Sequence, residues 1–187
     1  LFAASTLSHI ENFHIPYLKY FKDNDFEVHI MGKGNNKSPI PYVDKVIPIN
    51  FEKNMFSLKN FISAFKISKL IKKEKYSTIS THTILASFFT RLGIMLSLKK
   101  HPLVINTVHG YLFDENSNFI KKVIMILAEK FVRPVTDTIL VMNSTDYEIA
   151  KKYNLYKKNL YSINGMGINA SKFPFSTEEN KSYLREK

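Results

Sequence analysis

Short apolar runs alternate with longer amphipathic stretches along almost the whole chain. The short runs predict seven strands, over residues 1–4, 26–31, 45–49, 78–81, 103–108, 138–142 and 160–163. Apolar residues at three- and four-residue spacing predict helices between them, over residues 10–22, from 57 onward, and over 85–98, 118–132 and 145–153. Such alternation favours right-handed crossovers between parallel strands. The predicted fold is α/β, a Rossmann-like three-layer sandwich with a mostly parallel sheet.

Local patterns predict where two of the helices begin and which face of a third helix is buried. Pro16 is tolerable only in a first helical turn. Thr145 and Glu148 have the spacing of a capping box, which predicts the start of the last helix. The helix that begins at Ser57 has one apolar stripe, which predicts its buried face. The stripe consists of Leu58, Phe61, Ile62, Phe65 and Ile71.

The composition fits one packed domain in a chain of 187 residues. Hydrophobic residues make up 44% of the sequence, which argues against disorder. There is no cysteine, so disulfides, a thiolate metal site and a cysteine nucleophile are excluded. The chain opens on an apolar run without Met and ends in a charged stretch, which we interpret as a piece of a longer protein.

The formal net charge of +11 favours an anionic partner: nucleic acid, anionic lipid or a phosphorylated small molecule. A lysine-rich compositional bias is the alternative. Lysines cluster on and after the helix from Ser57 and at the end of the next helix, at Lys66, Lys69, Lys72, Lys73, Lys75, Lys99 and Lys100. No RNP-type aromatic pattern or helix-turn-helix signature accompanies them, so we expect contact with an anionic membrane rather than nucleic acid.

Candidate site residues follow the predicted strands, because ligands of open parallel sheets bind at the carboxyl ends of the strands. Residues 5–8 follow the first strand without the glycines of a dinucleotide fingerprint, and Ser8 is a candidate N-cap. His82 lies between two threonines after the fourth strand. His109 and Gly110 follow the fifth strand and carry the sharpest signal, because the glycine allows a turn that leaves the imidazole at the crevice. A structural role is the alternative for each histidine.

Metal and nucleophile motifs are missing from the sequence. The six histidines never reach metal-ligand spacing on one helix, which predicts no metal site. Gly32-Lys33-Gly34 lacks the spacing of a P-loop, and no G-x-S-x-G elbow occurs. Any chemistry therefore depends on the residues at the strand ends.

Five motifs follow one another in a recognisable order. They are Ser8-His9-Ile10-Glu11-Asn12-Phe13-His14-Ile15-Pro16-Tyr17-Leu18; Thr81-His82-Thr83 with Thr90-Arg91-Leu92-Gly93; Val108-His109-Gly110-Tyr111; Thr136-Asp137-Thr138 with Asn143 and Asp146-Tyr147-Glu148-Ile149-Ala150; and Asn164-Gly165-Met166-Gly167-Ile168-Asn169 with Lys172-Phe173. Together they resemble the N-terminal domain of a family 4 glycosyltransferase of the GT-B fold, in the capsular and exopolysaccharide branch. The resemblance implies that residues 1–170 form the acceptor-side Rossmann-like domain, one half of a GT-B architecture. Residues 171–187 would then be the linker and the start of a C-terminal domain.

The resemblance also implies an activity. It implies retaining transfer of a hexosyl or N-acetylhexosaminyl group from a nucleotide-diphosphate sugar to a glycan or a polyprenyl-diphosphate-linked acceptor. No metal ion or other cofactor is implied, and this half alone is expected to be inactive. An acceptor on a polyprenyl carrier implies a cytoplasmic enzyme, peripheral on the inner face of the cell membrane.

Specific residues take roles by the same resemblance. His109 would be catalytic and would contact the donor together with Gly110, Asn164 and Gly165. The expected acceptor-binding residues are Ser8, His9, Asn12, Phe13, His82, Thr83 and Tyr111. The first loop departs from relatives whose glycines approach the donor phosphates, because residues 5–8 replace those glycines.

Two other functions stay open on the residues alone. One is a basic Rossmann-like module that binds nucleic acid or anionic membrane without catalysis, as the net charge allows. The other is a nucleotide-dependent epimerase or another Rossmann enzyme, which the missing glycine fingerprint disfavours. A second βα domain beyond residue 187 would favour the glycosyltransferase.

Overall fold

The computed structural model describes residues 1–34, 39–97, 101–114 and 117–167. Within these ranges seven strands form one sheet, and every neighbouring pair is parallel. The strands are Phe2–Thr6 (β1), His29–Lys33 (β2), Lys45–Pro48 (β3), Thr78–His82 (β4), Leu103–Val108 (β5), Thr138–Val141 (β6) and Asn159–Ser162 (β7). Their order across the sheet is β3-β2-β1-β4-β5-β6-β7. The predicted α/β fold is confirmed.

Helices connect the strands on both faces of the sheet. They are Leu7–Phe13 (α1), Ile15–Asp23 (α2), Leu58–Glu74 (α3), Ile84–Leu96 (α4), Phe119–Val132 (α5) and Ser144–Lys152 (α6), with a 3₁₀ turn at Arg133–Val135. The predicted linker over residues 171–187 lies outside the described residues, and so do Lys99 and Lys100 of the predicted basic cluster.

The central strands separate two hydrophobic cores. Phe2, Ala4 and Ile30 face a core that they share with α1 and α2. Ala3 and Met31, at the alternate positions, face a larger core that contains residues of α3 and α4. Successive side chains of a strand point to opposite faces, so near-continuous apolar strands are expected where both faces are covered.

The helix predicted over residues 10–22 is instead two helices that meet at His14. Pro16 has no backbone N–H and clashes with a preceding helical turn, so it occupies the first turn of the new helix α2. The prediction that Ser8 caps the first helix is also wrong. The Thr6 side chain caps α1 by accepting from the His9 backbone N–H at 3.3 Å.

The predicted buried stripe of α3 is largely wrong. Leu58 is 79% exposed, and Phe61, Ile62 and Phe65 are exposed as well. Of the five predicted positions only Ile71 is buried, and the inward face otherwise carries Asn60, Ser63, Ala64, Ile67 and Ser68. The reason is the close approach of α4, since a Cβ on Gly93 would lie 2.8 Å from the Ala64 carbonyl oxygen. At that separation only small side chains fit along much of the contact.

The start of α6 also differs from the capping box predicted at Thr145 and Glu148. Asn143 is the N-cap, and its Oδ1 accepts from the Asp146 backbone N–H at 2.8 Å. The Asp146 carboxylate in turn accepts from the Asn143 side-chain amide at 2.7 Å and from the Tyr111 backbone N–H at 3.1 Å. These bonds tie the loop after β5 to the first turn of α6.

A buried ion pair joins α4 to α5. The Arg91 guanidinium is 1% exposed and donates two hydrogen bonds of 2.9 Å to the carboxylate of Glu129. It also donates to the Ser87 carbonyl oxygen and to the Thr136 hydroxyl. This bidentate arrangement satisfies a buried charge and fixes the helix that begins at the end of β4.

Glu129→Ala should lower the free energy of unfolding by about 3–5 kcal/mol, because it leaves the Arg91 charge buried without its partner. The measurement is urea denaturation of the full-length protein. Asp23→Ala, which breaks the exposed Lys19–Asp23 pair, is the control and should change stability little. Similar effects from the two variants would contradict a stabilising role for the buried pair.

Candidate active site

The candidate site lies where the direction of the chain reverses across the sheet. β1 and β4 are neighbours at its centre, and the chain continues from β1 toward β2 on one side and from β4 toward β5 on the other. This topology leaves a crevice outside the carboxyl ends of the two strands. His9 on α1, His82 and Thr83 at the end of β4, and His109 after β5 all lie at this edge.

Thr83 holds an uncommon backbone conformation at the start of α4. Its φ is +62°, a region that β-branched residues rarely adopt. The Thr83 hydroxyl accepts from the Ser5 backbone N–H at 2.9 Å and lies 2.7 Å from the Ser5 hydroxyl. The end of β1 therefore holds the β4–α4 turn in place, and such conformations are concentrated at functional sites.

Four imidazole rings pack against one another beside this turn. The ring centroids of His14 and His82 are 4.0 Å apart, and His9 lies 5.3 Å from His14. The His109 ring is 5.0 Å from that of His9 and 5.8 Å from that of His82. The His82 ring also lies nearly parallel to that of Phe2.

Only some of the ring nitrogens in this cluster have a hydrogen-bond partner among the described residues. His82 Nε2 lies 2.8 Å from the Ser80 hydroxyl. Within the described part of the chain, no hydrogen-bond partner is present for His82 Nδ1, for His9 Nε2 or for either ring nitrogen of His14. Because His14 and His82 are 0% and 3% exposed, these atoms are buried polar groups that need an explanation.

The rings are held in the neutral state. Burial, with a smaller contribution from the neighbouring rings, lowers the pKa of His9 to about 4 and that of His14 to about 3. Burial is also the main cause that holds the pKa of His82 well below its usual value of 6.5. Partial burial lowers the pKa of His109. Neutral imidazoles can donate one hydrogen bond and accept another, or bind a metal ion.

The turn after β5 presents His109 to solvent at the crevice. Gly110 follows with φ +123°, where an L side chain is strained although nothing would crowd its Cβ. His109, Gly110 and Thr83 line a small cavity of about 40 Å³ that reaches inward to Arg91 and Glu129. The predicted position of His109 at the mouth of the crevice agrees with this arrangement.

The family model described as Glycosyl transferase 4-like matches residues 2–165. The chain belongs to the glycosyl transferase 4-like family. This result supports the predicted glycosyltransferase and argues against a basic binding module without catalysis.

Two curated relatives are similar over almost the whole chain. The "Putative glycosyltransferase EpsD" of Bacillus subtilis (strain 168) is 28% identical over 187 residues, which is 100% of this chain and 49% of the relative. The "UDP-Gal:alpha-D-GlcNAc-diphosphoundecaprenol alpha-1,3-galactosyltransferase" of Escherichia coli is 25% identical over 186 residues, 97% of this chain and 46% of the relative. The chain thus spans about half the length of the curated relatives it matches.

The remaining predicted acceptor residues lie on α1 and after β5 in this glycosyl transferase 4-like domain. Ser8, Asn12 and Phe13 are exposed on α1, and the Phe13 ring lies 5.1 Å from that of His9. Tyr111 differs, because its hydroxyl is buried and its ring lies 5.4 Å from that of Phe113. Burial raises the pKa of Tyr111 well above its usual value, so the phenol is neutral.

The predicted donor residues Asn164 and Gly165 lie in the loop after β7. They follow β7, which is two strands from β5 and three from β4, or roughly 10–15 Å across the sheet. Asn164 is exposed, and Gly165 has φ +87° with open space where a side chain would project. The structure brings His9, His82, Thr83 and His109 together at this end of the sheet. Ile163 and Met166, on either side of the pair, line the cavity that His14 and His82 also line.

Sequence reasoning missed His14 and the two serines that support the site. His14 stands five residues after His9, a spacing that one continuous helix would place on different faces. Only the break before Pro16 turns its ring toward His82. Ser5 and Ser80 belong to strands, and their roles depend on pairing with Thr83 and His82. The Pro16 signal, read as a helix boundary, was the one clue to His14 in the sequence.

No helix in the described part of the chain is both long and apolar enough to cross a bilayer. The longest one, α3, has 17 residues and carries several lysines.

Proposed function

We propose that this chain is the acceptor-side half of a retaining glycosyltransferase of capsular or extracellular polysaccharide synthesis. It would act with a nucleotide-diphosphate sugar as donor and transfer a hexosyl or N-acetylhexosaminyl group. Family membership and the names of both relatives support this reaction class. The observation that carries the proposal is the exposed His109 at the crevice, next to the strained Thr83 turn.

In the proposed transfer the bond between the sugar C1 and the donor phosphate breaks, and the phosphate oxygen keeps the electron pair. The acceptor hydroxyl oxygen forms the new bond to C1 and passes its proton to the departing phosphate oxygen. Charge therefore develops on the diphosphate, and preorganised donors there give the largest stabilisation. The neutral His109 imidazole would donate one such hydrogen bond. Helix N-termini and basic side chains would replace a metal ion at the diphosphate.

The acceptor would lie along α1 and the β4–α4 turn. Ser8, Asn12 and Phe13 present two polar groups and an aromatic ring, a combination suited to binding sugars. His9 and Thr83 connect this surface with the reacting position near His109. By the name of the relative in E. coli, we expect the acceptor glycan to be linked to a polyprenyl diphosphate.

The other half of the enzyme would bind the nucleotide. The two relatives are about twice as long as the matched region, which supports a second domain after a linker over residues 171–187. Asn164 and Gly165 would then contact the donor from the edge of the crevice, with His109 and Gly110 on the other side. This half alone would lack most donor contacts, so we expect it to be inactive.

An enzyme with a polyprenyl-linked acceptor would work at the cytoplasmic face of the membrane. The surfaces of two helices favour contact with that membrane. In a parallel sheet each returning helix starts at the carboxyl edge. At these starts Leu58 on α3 and Phe119 on α5 are almost fully exposed, and Phe56 and Ile120 beside them are also exposed. Apolar side chains therefore flank the same edge as His109.

The outward face of α3 is apolar in its first turns and basic in its last turns. Its first two turns expose Leu58, Ile62 and Phe65, whereas its last turns expose the predicted lysines. These are Lys66, Lys69, Lys72 and Lys73, with Lys75 just after the helix. An anionic bilayer would receive the apolar residues and attract each nearby lysine with ~1 kcal/mol.

His109→Ala should lower turnover 100- to 1000-fold in the full-length enzyme and leave its melting temperature nearly unchanged. The reason is the loss of one preorganised hydrogen-bond donor, which typically costs ~3 kcal/mol of barrier, whereas an exposed side chain contributes little to the core. The measurement is the initial rate at saturating donor, together with a melting curve.

His101→Ala is the matched control and should keep near-normal turnover. His101 precedes β5 and His109 follows it, so the two imidazoles lie at opposite edges of the sheet, ~20 Å apart. His109 is not a catalytic residue if its variant keeps normal turnover, or if it loses turnover only by unfolding.

Leu58→Glu combined with Phe119→Glu should remove most binding of the full-length protein to phosphatidylglycerol-containing vesicles, because both apolar side chains would enter the bilayer. Cosedimentation at low salt, with pure phosphatidylcholine vesicles in parallel, measures the effect. Tyr161→Glu, an exposed aromatic on β7, is the control and should bind normally. Equal recovery with neutral and anionic vesicles, or normal binding of the double variant, would refute the membrane contact.

A further inference from the structure

We propose that His9, His14 and His82 form a binding site for a divalent transition-metal ion of the zinc class. This inference does not rest on the proposed glycosyl transfer. The three ligands come from α1, from the junction between α1 and α2, and from the end of β4. For this reason the sequence shows no metal-ligand spacing on a single helix.

The first support is geometric. One nitrogen from each of the three rings lies within 4.8 Å of the other two. Nitrogens bound to a tetrahedral zinc ion are ~3.3 Å apart, because each Zn–N bond is about 2.0–2.1 Å long. Ring rotations that bring the nitrogens up to about 1.5 Å closer would therefore complete the set of ligands.

The second support is the set of buried nitrogens. Within the described residues, His82 Nδ1 and both nitrogens of His14 have no hydrogen-bond partner, although both side chains are almost fully buried. Buried polar atoms without partners are rare, and an ion is one of the recognised explanations for them. Coordination would satisfy one nitrogen on each of these rings.

The third support is the orientation and protonation of the rings. Ser80 lies 2.8 Å from His82 Nε2, and if it accepts the proton there, Nδ1 carries the free lone pair. That Nδ1 atom is buried and has no hydrogen-bond partner in the described part of the chain. Metal-binding histidines usually have such an outer hydrogen bond on their second nitrogen. Burial keeps the imidazoles neutral, which is the form that binds metals.

The chemistry of the ligands selects the kind of ion. Three neutral imidazoles suit zinc, copper, nickel or cobalt, whereas magnesium and calcium prefer oxygen ligands. Three protein ligands also leave one tetrahedral position open, as in catalytic zinc sites. An ion could enter through the cavity of about 350 Å³ that His14 and His82 line together with Tyr17 and Phe21.

The test is a titration of full-length protein, purified without a histidine tag and stripped with a chelator, with ZnCl₂ and with CoCl₂. We expect one ion per chain by calorimetry, a rise in melting temperature, and visible absorption bands of tetrahedral Co²⁺. Absence of stoichiometric binding to the folded protein would overturn the proposal.

Variants identify the ligands. His9 is half-buried, so His9→Gln should fold, and we expect it to weaken Zn²⁺ binding by at least roughly 100-fold. Ser80→Ala removes only an outer hydrogen bond and should weaken binding less, by about 10- to 100-fold. His14→Asn and His82→Asn should abolish binding where they fold. His101→Gln, at the opposite edge of the sheet, is the control and should bind normally. Equal affinity of His9→Gln and the control would contradict the assignment.

Discussion

Parallel pairing of seven strands is the constraint on which the rest of the molecule depends. Parallel neighbours require crossovers, so the helices return across the faces of the sheet and every strand ends at the same edge. That edge therefore collects side chains from distant parts of the chain, including His9, His82 and His109. Packing then fixes this end of the sheet, because the Arg91–Glu129 pair holds α4 and the Ser5–Thr83 bonds hold the residue directly before α4.

The sequence was sufficient for the seven strands, since most of them are runs of apolar or β-branched residues bounded by turns. It was misleading where packing depends on distance between helices. The prediction placed Leu58 and Phe65 of α3 in the core because large apolar residues usually face inward. The Gly93 contact with Ala64 leaves no room for them, so small residues face α4 and the large ones face solvent.

Only part of the candidate site was predictable from the sequence. His109 and Gly110 could be found because they directly follow a buried strand, and the rule for open sheets concerns strand ends. The position of His14 beside His82 could not be predicted in this way. It depends on the break between α1 and α2 and on β4, which pairs with β1 although the two strands are far apart along the chain. The same cluster supports both proposals, with His109 at its exposed side and His9, His14 and His82 at its buried side.

The central claim is that the donor sugar and its diphosphate lie against His109 at the carboxyl edge of the sheet. The most direct measurement is site-resolved modification of histidines by diethyl pyrocarbonate in the full-length protein, read by mass spectrometry. The nucleotide-diphosphate sugar that the enzyme turns over should protect His109 and leave His101 at the opposite edge equally reactive. Unchanged reactivity of His109 with saturating donor would contradict the claim.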